Sequence, residues 1–380
     1  MRIALISASR VPSRTANSIE VMKVCQAFVD LGHEIHLWLP GPEPNTSWAE
    51  LVEFYGIRDP FPISWLSSLR ILRRYDFSFR AVLKARAWDP SLCYVWPLQA
   101  AAISSSLGLP TALEVHDRPQ GRLGPIMFRR FIEGRGAIRV LPITEAMRQW
   151  LGDAYQFDLQ PPFALIAPMG VNLEQYHNLP DPKDAREELG LAEGFTAGYA
   201  GHFYEGRGID LLEDLARRNP GVHFLWVGGE PEAVDFWRSR LKQAGLKNVQ
   251  LLGFVPNKRL PLVQAACDVL LMPYERKISV SSGGDTAQFA SPMKQFEYLA
   301  AGRAILASDL PVFREVLNEG NAVLLPSEDV AAWDQALNHL RADVGHRKRL
   351  ADRACDDAVQ YDWRERARRL LGGLETNGVA

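Results

Sequence analysis

The 380-residue chain has few cysteines, no surplus of charge and none of the short motifs that mark the commoner enzyme chemistries. Cys25, Cys93, Cys267 and Cys355 lie far apart and form no CxxC pair, which argues against a dithiol redox site, a zinc ribbon and a disulfide scaffold. Cys25 and Cys267 sit in apolar helical patterns and read as core residues of a protein from a reducing compartment. A formal net charge of -2 gives no global case for nucleic-acid binding. No stretch approaches the ~18 apolar residues that span a bilayer. The start, Met1-Arg2 followed by IALISAS, is too short for a secretory apolar region, so a cytoplasmic protein is expected. GxGxxG after the first apolar run, the Walker phosphate loop, the GxSxG elbow, HExxH and a strand-end Asp-x-Asp are all missing. Any anion bound here is therefore expected to be held without a metal.

What is present is alternation. With 47% hydrophobic and 23% charged residues the chain reads as globular, of a length for about two domains. RIALISAS, a helix over Ile19–Leu31 capped by Asn17-Ser18, and EIHLWLP make a βαβ unit. Further units follow through SLCYVWP, LQAAAISSSLG, PTALEVHD, IRVLPIT and EAMRQWLGDAY, and FALIAPMG reads as the strand that closes this half. The polar stretch 172–193, with Pro180 and Pro182, reads as a linker. A second alternating half starts at FTAGYAG and runs through IDLLEDLARR, VHFLWVGG, AVDFWRSRLKQAG, VQLLGFV, LPLVQAAC, VLLMPY, AILA, AVLLP and WDQALNHLR. Two doubly wound halves carry ligands at the carboxyl ends of their strands, which suggests two ligands meeting across a cleft.

Two loops in the second half suit a phosphate. Gly201 follows a strand, and Gly206-Arg207-Gly208 leads into a helix, where free amides, the dipole's positive end and a guanidinium converge. A surface loop arginine is the plain alternative. The second place is FASPMKQFEYLAAG. Ser291 reads as a helix cap, Pro292 as the first helical residue and Gly302 as the stop. Lys294 in that first turn opposes the helix dipole, which makes sense beside a bound anion. Glu297 follows one turn later, where it suits a ribose diol. A plain Lys–Glu surface pair is equally compatible with the residues alone.

The order of these pieces resembles the retaining family 4 glycosyltransferases of the GT-B fold. The resemblance covers nearly the whole chain and is strongest over 199–311. Gly201 to Gly208 is similar to the family's Gly-Arg-x-x-x-x-Lys-Gly, Val227-Gly228-Gly229-Glu230-Pro231 to its Val-Gly-Gly-x-Pro, and Leu252-Gly253-Phe254-Val255 to its Leu-Gly-x-Val. The opening of the second helix-start loop resembles the SPxKxFEYxAAG variant of its donor motif. Pro168 to Asn172, Glu114-Val115-His116-Asp117 and Tyr361-Asp362-Trp363 match further elements.

The resemblance implies an α/β chain with two Rossmann-like doubly wound domains facing across a cleft. Residues 1–175 would form the acceptor-binding domain, residues 176–361 the nucleotide-sugar domain, and a helix over 362–377 would pack back on the first. It implies a retaining hexosyl transfer from a nucleotide diphosphate sugar, a UDP-sugar favoured, to a hydroxyl acceptor. Arg207 would hold the diphosphate, with Gly201, His202 and Lys294 beside it, and Lys294 would act as a second cation. Glu297 would bind the ribose, Phe254 and Val255 would flank the base, and Ser291, Pro292 and Met293 would approach the phosphates and sugar. His116 would contact the transferred sugar, while Asn17, Ser18 and Asp117 would serve the acceptor. His202 and Phe289 stand where the family has an arginine and a glutamate. An epimerase or phosphorylase on the same fold, or a non-catalytic sugar-nucleotide binder, are the alternatives. Two basic, aromatic stretches suit a lipid-linked acceptor at an anionic membrane surface. One holds Arg70, Arg73, Arg74, Arg80, Lys84 and Arg86; the other holds Arg118, Arg122, Arg129, Arg130 and Arg135.

Overall fold

The structure, a computed structural model, describes residues 1–72, 74–278 and 287–374, so Arg73 of the first basic stretch lies outside the described residues. The chain divides into two compact units, one of Met1–Met169 with the segment from Trp363 onward, the other of Gly170–Asp362.

In the first unit strands and helices alternate as β1 (Arg2–Ile6), α1 (Ala16–Asp30), β2 (Glu34–Pro40), α2 (Trp48–Tyr55), β3 (Ile63–Leu66), α3 (Tyr75–Trp88), β4 (Leu92–Val95), α4 (Leu98–Ser106), β5 (Thr111–Val115), α5 (Gly124–Ile132), β6 (Ala137–Pro142) and α6 (Glu145–Tyr155). The strands form one parallel sheet in the order β3-β2-β1-β4-β5-β6. Helices cover its faces, so the central strands are short and almost wholly apolar; all four residues of β4 and all five of β5 are buried. The order reverses between β1 and β4, and ligands of such sheets gather at the carboxyl ends beside that point.

The second unit repeats the plan as α7 (Pro182–Glu188), β7 (Thr196–Ala200), α8 (Ile209–Arg218), β8 (His223–Val227), α9 (Pro231–Gln243), β9 (Val249–Gly253), α10 (Leu260–Ala265), β10 (Val269–Met272), α11 (Met293–Ala300), β11 (Ala304–Ser308), β12 (Val323–Leu325), α12 (Val330–Ala342) and α13 (Val344–Ala358). Its parallel sheet runs β12-β11-β10-β7-β8-β9. Trp226 and Trp333 anchor a core that joins β7, β8, β10 and β11 to α8, α9 and α12. The last helix, α14 (Trp363–Leu371), packs on α1.

Several elements differ from the sequence expectation. The stretch FALIAPMG makes only an isolated bridge, Ala164 to Val140, because Pro161, Pro162 and Pro168 remove ladder donors. The polar stretch 172–193 is not a bare linker. Asp181 accepts from the amides of Lys183 and Asp184, Pro182 occupies the first turn, and α7 follows with Ala185 and Arg186 buried. Helix α1 starts three residues before Ile19, with Thr15 rather than Asn17-Ser18 at its cap. Pro292, not Ser291, is the cap residue of α11. The last helix stops at Leu371 instead of reaching 377, and the Gly372-Gly373 turn ends it. All four cysteines are free, and Cys25, Cys93 and Cys267 are buried.

Gly198, in the middle of β7, has a specific packing reason. A methyl group there would collide with the Cys267 sulfur, which fills the notch the glycine leaves. Replacing Gly198 by alanine should therefore destabilise the second unit by about 1–3 kcal/mol through overpacking. The added Cys267→Ala change should recover most of that loss in urea denaturation; an additive double variant would show that the notch is not the cause.

Candidate functional site

The second unit gathers a wall of two cations where β7, the 206–208 loop, the 273–278 segment and α11 meet. Gly206 and Gly208 have left-handed backbones, and a side chain on either would strike the carbonyl of Lys277 or Pro273. The loop thus lies backbone to backbone on that segment, which sets the Arg207 guanidinium 4.6 Å over the Tyr274 ring. Arg207 also shares a hydrogen bond with the Tyr274 side chain. Gly208 caps α8 without a side-chain cap bond, and its amide donates to the Glu275 carboxylate.

Lys294 enters from α11. It is only 8% exposed, yet its ammonium has no hydrogen-bond partner among the described residues. It rests 3.8 Å from the centre of the Tyr199 ring and 5.2 Å from that of Tyr274. Burial and then the Arg207 charge hold its pKa well below the ordinary lysine value, with Glu297 opposing them. The plain surface-pair reading of Lys294 and Glu297 is therefore wrong: Lys294 is interior, and its nearest neighbours are aromatic faces. Gly201 makes the room, since a side chain there would collide with the Lys294 ammonium.

The other expected donor-site residues sit around this wall in the same unit. His202 stacks on Tyr204, with ring centres 4.7 Å apart and planes 3° from parallel, and its carbonyl accepts the Tyr199 hydroxyl at 2.7 Å. Ser291 is buried, while Pro292, Met293 and Glu297 are half-buried at the start of α11. Phe254 and Val255 are half-buried just after β9. Phe289 is buried as an apolar residue, so this position packs rather than offering a carboxylate. Sequence reading missed Tyr199 and Tyr274. The usable signal was a tyrosine at or just past the end of two central strands, where an aromatic face can hold a cation.

The first unit holds a separate buried charge chain at the end of β5. The His116 Nε2 lies 2.9 Å from one oxygen of Glu114 and 3.1 Å from Glu20 of α1. The same Glu114 oxygen takes the Arg366 guanidinium of α14 at 2.6 Å, and Tyr94 donates its hydroxyl to the other oxygen. Arg366 also donates to the carbonyls of Pro168 at 2.6 Å and Ala167 at 3.1 Å. Burial favours neutral His116, but Glu20 and Glu114 outweigh it and push its pKa up to about 10. Burial raises Glu20 to about 7 against the pull of His116. Burial also acts to raise Glu114, but Arg366 and His116 hold it well below the usual carboxylate range.

Of the residues expected to serve an acceptor, Ser18 does not: it is fully buried, and its hydroxyl pairs with Tyr55. Asn17 is exposed beside it. Asp117 closes its own turn by accepting from the Arg118 amide at 2.7 Å and from the Gln120 side chain. From sequence Glu114 stands in the Glu114-Val115-His116-Asp117 stretch without a role, and Glu20 and Arg366 have none, because positions that far apart in the sequence form no local pattern.

Residues 195–343 match the family described as Glycosyl transferases group 1. The second unit carries a group 1 glycosyltransferase domain. The phosphatidyl-myo-inositol mannosyltransferase of Mycolicibacterium smegmatis is 25% identical over 392 positions, covering 99% of this chain and 94% of that protein. The D-inositol 3-phosphate glycosyltransferase of Xylanimonas cellulosilytica is 28% identical over 302 positions, covering 76% and 67%. Anabaena Alr3699/HepE in complex with UDP superposes with a TM-score of 0.74 at 18% identity, over 99% of this chain and 100% of that one. Sucrose-phosphate synthase from Thermosynechococcus elongatus gives 0.75 at 16% identity, over 99% and 98%. These likenesses show the GT-B fold of two Rossmann-like domains. The chain is a glycosyltransferase.

The charge chain gives the transferase a testable pH signature. Because the folded His116 pKa lies above its unfolded value of 6.5, His116 contributes stability that is complete below about pH 6.5 and lost as pH rises towards 10. Stability measured by denaturation at pH 6 and pH 9 should fall across that window, and His116→Gln should flatten the fall. A variant with the same slope as wild type would refute the assignment.

Proposed function

We propose that this glycosyltransferase moves a hexose from a nucleotide diphosphate sugar to a hydroxyl acceptor with retention at the anomeric carbon. The observation that carries the reading is the Lys294 ammonium, buried beside Arg207 without a hydrogen-bond partner among the described residues. Such a group is costly in an empty protein and is satisfied by a bound anion. Two helix starts, of α8 and α11, add amides without side-chain caps.

In this reading Arg207 and Lys294 hold the diphosphate, with Gly201 and His202 lining it. The backbone of Ser291, Pro292 and Met293 approaches the phosphates and sugar, Glu297 takes the ribose, and Phe254 and Val255 flank the base. His116, in the first unit, is assigned to the transferred sugar as an imidazolium. Neither a nucleophile nor a metal is required. The acceptor hydroxyl attacks the anomeric carbon on the face the diphosphate leaves, the bond from that carbon to the phosphate oxygen breaks, and a donor phosphate oxygen takes the hydroxyl proton. The protein supplies position and charge stabilisation. A uridine nucleotide is the favoured donor; the UDP bound in the HepE neighbour supports it.

The names of the mannosyltransferase relatives support a glycolipid or cell-surface acceptor, and so a cytoplasmic enzyme working against a membrane. No helix among the described residues is long and apolar enough to cross one. Peripheral contact fits the surface better. Ile71 is 87% exposed, with Leu69, Leu72, Phe79 and Leu83 also exposed among Arg74, Arg80, Lys84 and Arg86. Helix α5 and its approach expose Leu123 and Ile126 beside Arg122, Arg129 and Arg130.

Arg207→Ala should lower kcat by about 10²–10³-fold. Calorimetry with UDP, GDP and ADP should show tight binding of one nucleotide, with proton uptake. Anion binding raises the depressed Lys294 pKa, so affinity should rise as pH falls. Lys294→Met should abolish the uptake and weaken binding, yet raise stability by about 1 kcal/mol. Wild-type turnover in Arg207→Ala, or unchanged proton uptake in Lys294→Met, would refute the reading. Release of epimerised sugar without an acceptor would favour an epimerase. Co-sedimentation with vesicles should need anionic lipid, and Ile71→Asp with Ile126→Asp should weaken it; equal binding to neutral vesicles would remove the membrane assignment.

A further inference from the structure

Outside the donor wall and the His116 chain, one cluster among the described residues has the chemistry of a site. It lies where α12 meets α13, on the second unit's surface. His339 is in the last turn of α12, Asp343 is the junction residue, and His346 is in the first turn of α13. One nitrogen of each imidazole and a carboxylate oxygen lie within 4.8 Å of one another. We propose that His339, Asp343 and His346 form a transition-metal site, selective for Zn²⁺-like borderline cations and with an open fourth position for water.

The geometry favours this over an incidental surface group. The His339 Nε2 and His346 Nδ1 face each other at 3.2 Å. Ligand nitrogens ~2.0–2.1 Å from a tetrahedral zinc stand about 3.3–3.4 Å apart, so the pair already spans one edge of the tetrahedron. The rings meet at 62° with centres 5.4 Å apart, so their lone pairs converge while the rings do not stack. The backbone fixes all three positions. The Asp343 amide bonds the His339 carbonyl at 2.8 Å, and an Asp343 oxygen caps the His346 amide at 2.7 Å, leaving its second oxygen as a ligand. Trp333, Leu337, Leu340 and Leu350 hold both helices in the core, so little ordering remains for binding to impose.

Without metal the two imidazoles share a hydrogen bond, one donating through the nitrogen that faces the other. Coordination needs both facing nitrogens as lone pairs, so the ring that donates in the hydrogen bond carries its proton on its other nitrogen when metal is bound. Arg349, which is drawn to the Asp343 carboxylate, competes with the cation. Arg349→Gln should therefore tighten binding. Nothing in the glycosyl transfer uses these residues. Bound metal would clip α12 to α13, the helix that packs on α11 and so backs the donor wall.

The test uses the full chain, free of tag and treated with a chelator, titrated with Zn²⁺ alone and with Co²⁺ alone. One equivalent should bind, and Co²⁺ should give the strong visible absorption of a tetrahedral nitrogen–oxygen site. Zn²⁺ should raise Tm. His339→Ala and His346→Ala should each weaken Zn²⁺ by at least about 10-fold and abolish the Tm rise, with unchanged circular dichroism. His177→Ala, an exposed histidine elsewhere, should bind as wild type does. Absence of saturable binding, or wild-type affinity in the two histidine variants, would overturn the proposal.

Discussion

A lysine ammonium buried against two tyrosine faces, with no hydrogen-bond acceptor among the described residues, sets the terms for the second unit. Water would solvate that charge for nothing, whereas a protein interior does so only with fixed dipoles or a counter-ion. Everything around Lys294 is arranged to tolerate it. Gly201 withdraws so that the side chain fits, Tyr199 and Tyr274 present their negative faces, and Glu297 supplies a partly compensating charge. Arg207 adds a second cation by lying on the same Tyr274 ring. Aromatic rings hold the two like charges together, and in the proposed reading their counter-charge comes with the substrate.

The first unit solves the opposite problem. Arg366, Glu114, His116 and Glu20 alternate in sign, so each buried charge faces an opposite neighbour. Alternation lets the network stay charged out of water, and it fixes the orientation of the one member that is partly exposed, His116. In the second unit Lys294 has no hydrogen-bonded counter-charge among the described residues, whereas in the first unit the charges pair along a chain in which burial raises Glu20 to about 7.

How much of this was legible in the sequence depended on whether the signal was local. The βαβ alternation was plain because parallel strands buried on both faces read as short apolar runs, and EIHLWLP and IDLLEDLARR matched β2 and α8 residue for residue. Arg207, Lys294 and Glu297 were legible from glycine spacing and from a charge that contradicted its helix position. Less was legible where structure came from long-range contact. Helix α13 buries only Leu350, Ala354 and Ala358 in a polar sequence, too thin a stripe to read. FALIAPMG was apolar enough for a strand, but its prolines decided otherwise. From sequence Ser18 reads as a helix cap and an acceptor residue, because nothing nearby announces Tyr55, 37 residues on, with which its hydroxyl pairs.

The reach of Arg366 has a consequence for the chain as it is made. Glu114 and its arginine are 252 residues apart, and the whole second unit lies between them. During vectorial synthesis the β5 region emerges with a buried carboxylate whose counter-charge has not yet been translated. The first unit therefore cannot reach its native charge state until α14 has been made, whereas the second unit is complete in sequence by Asp362.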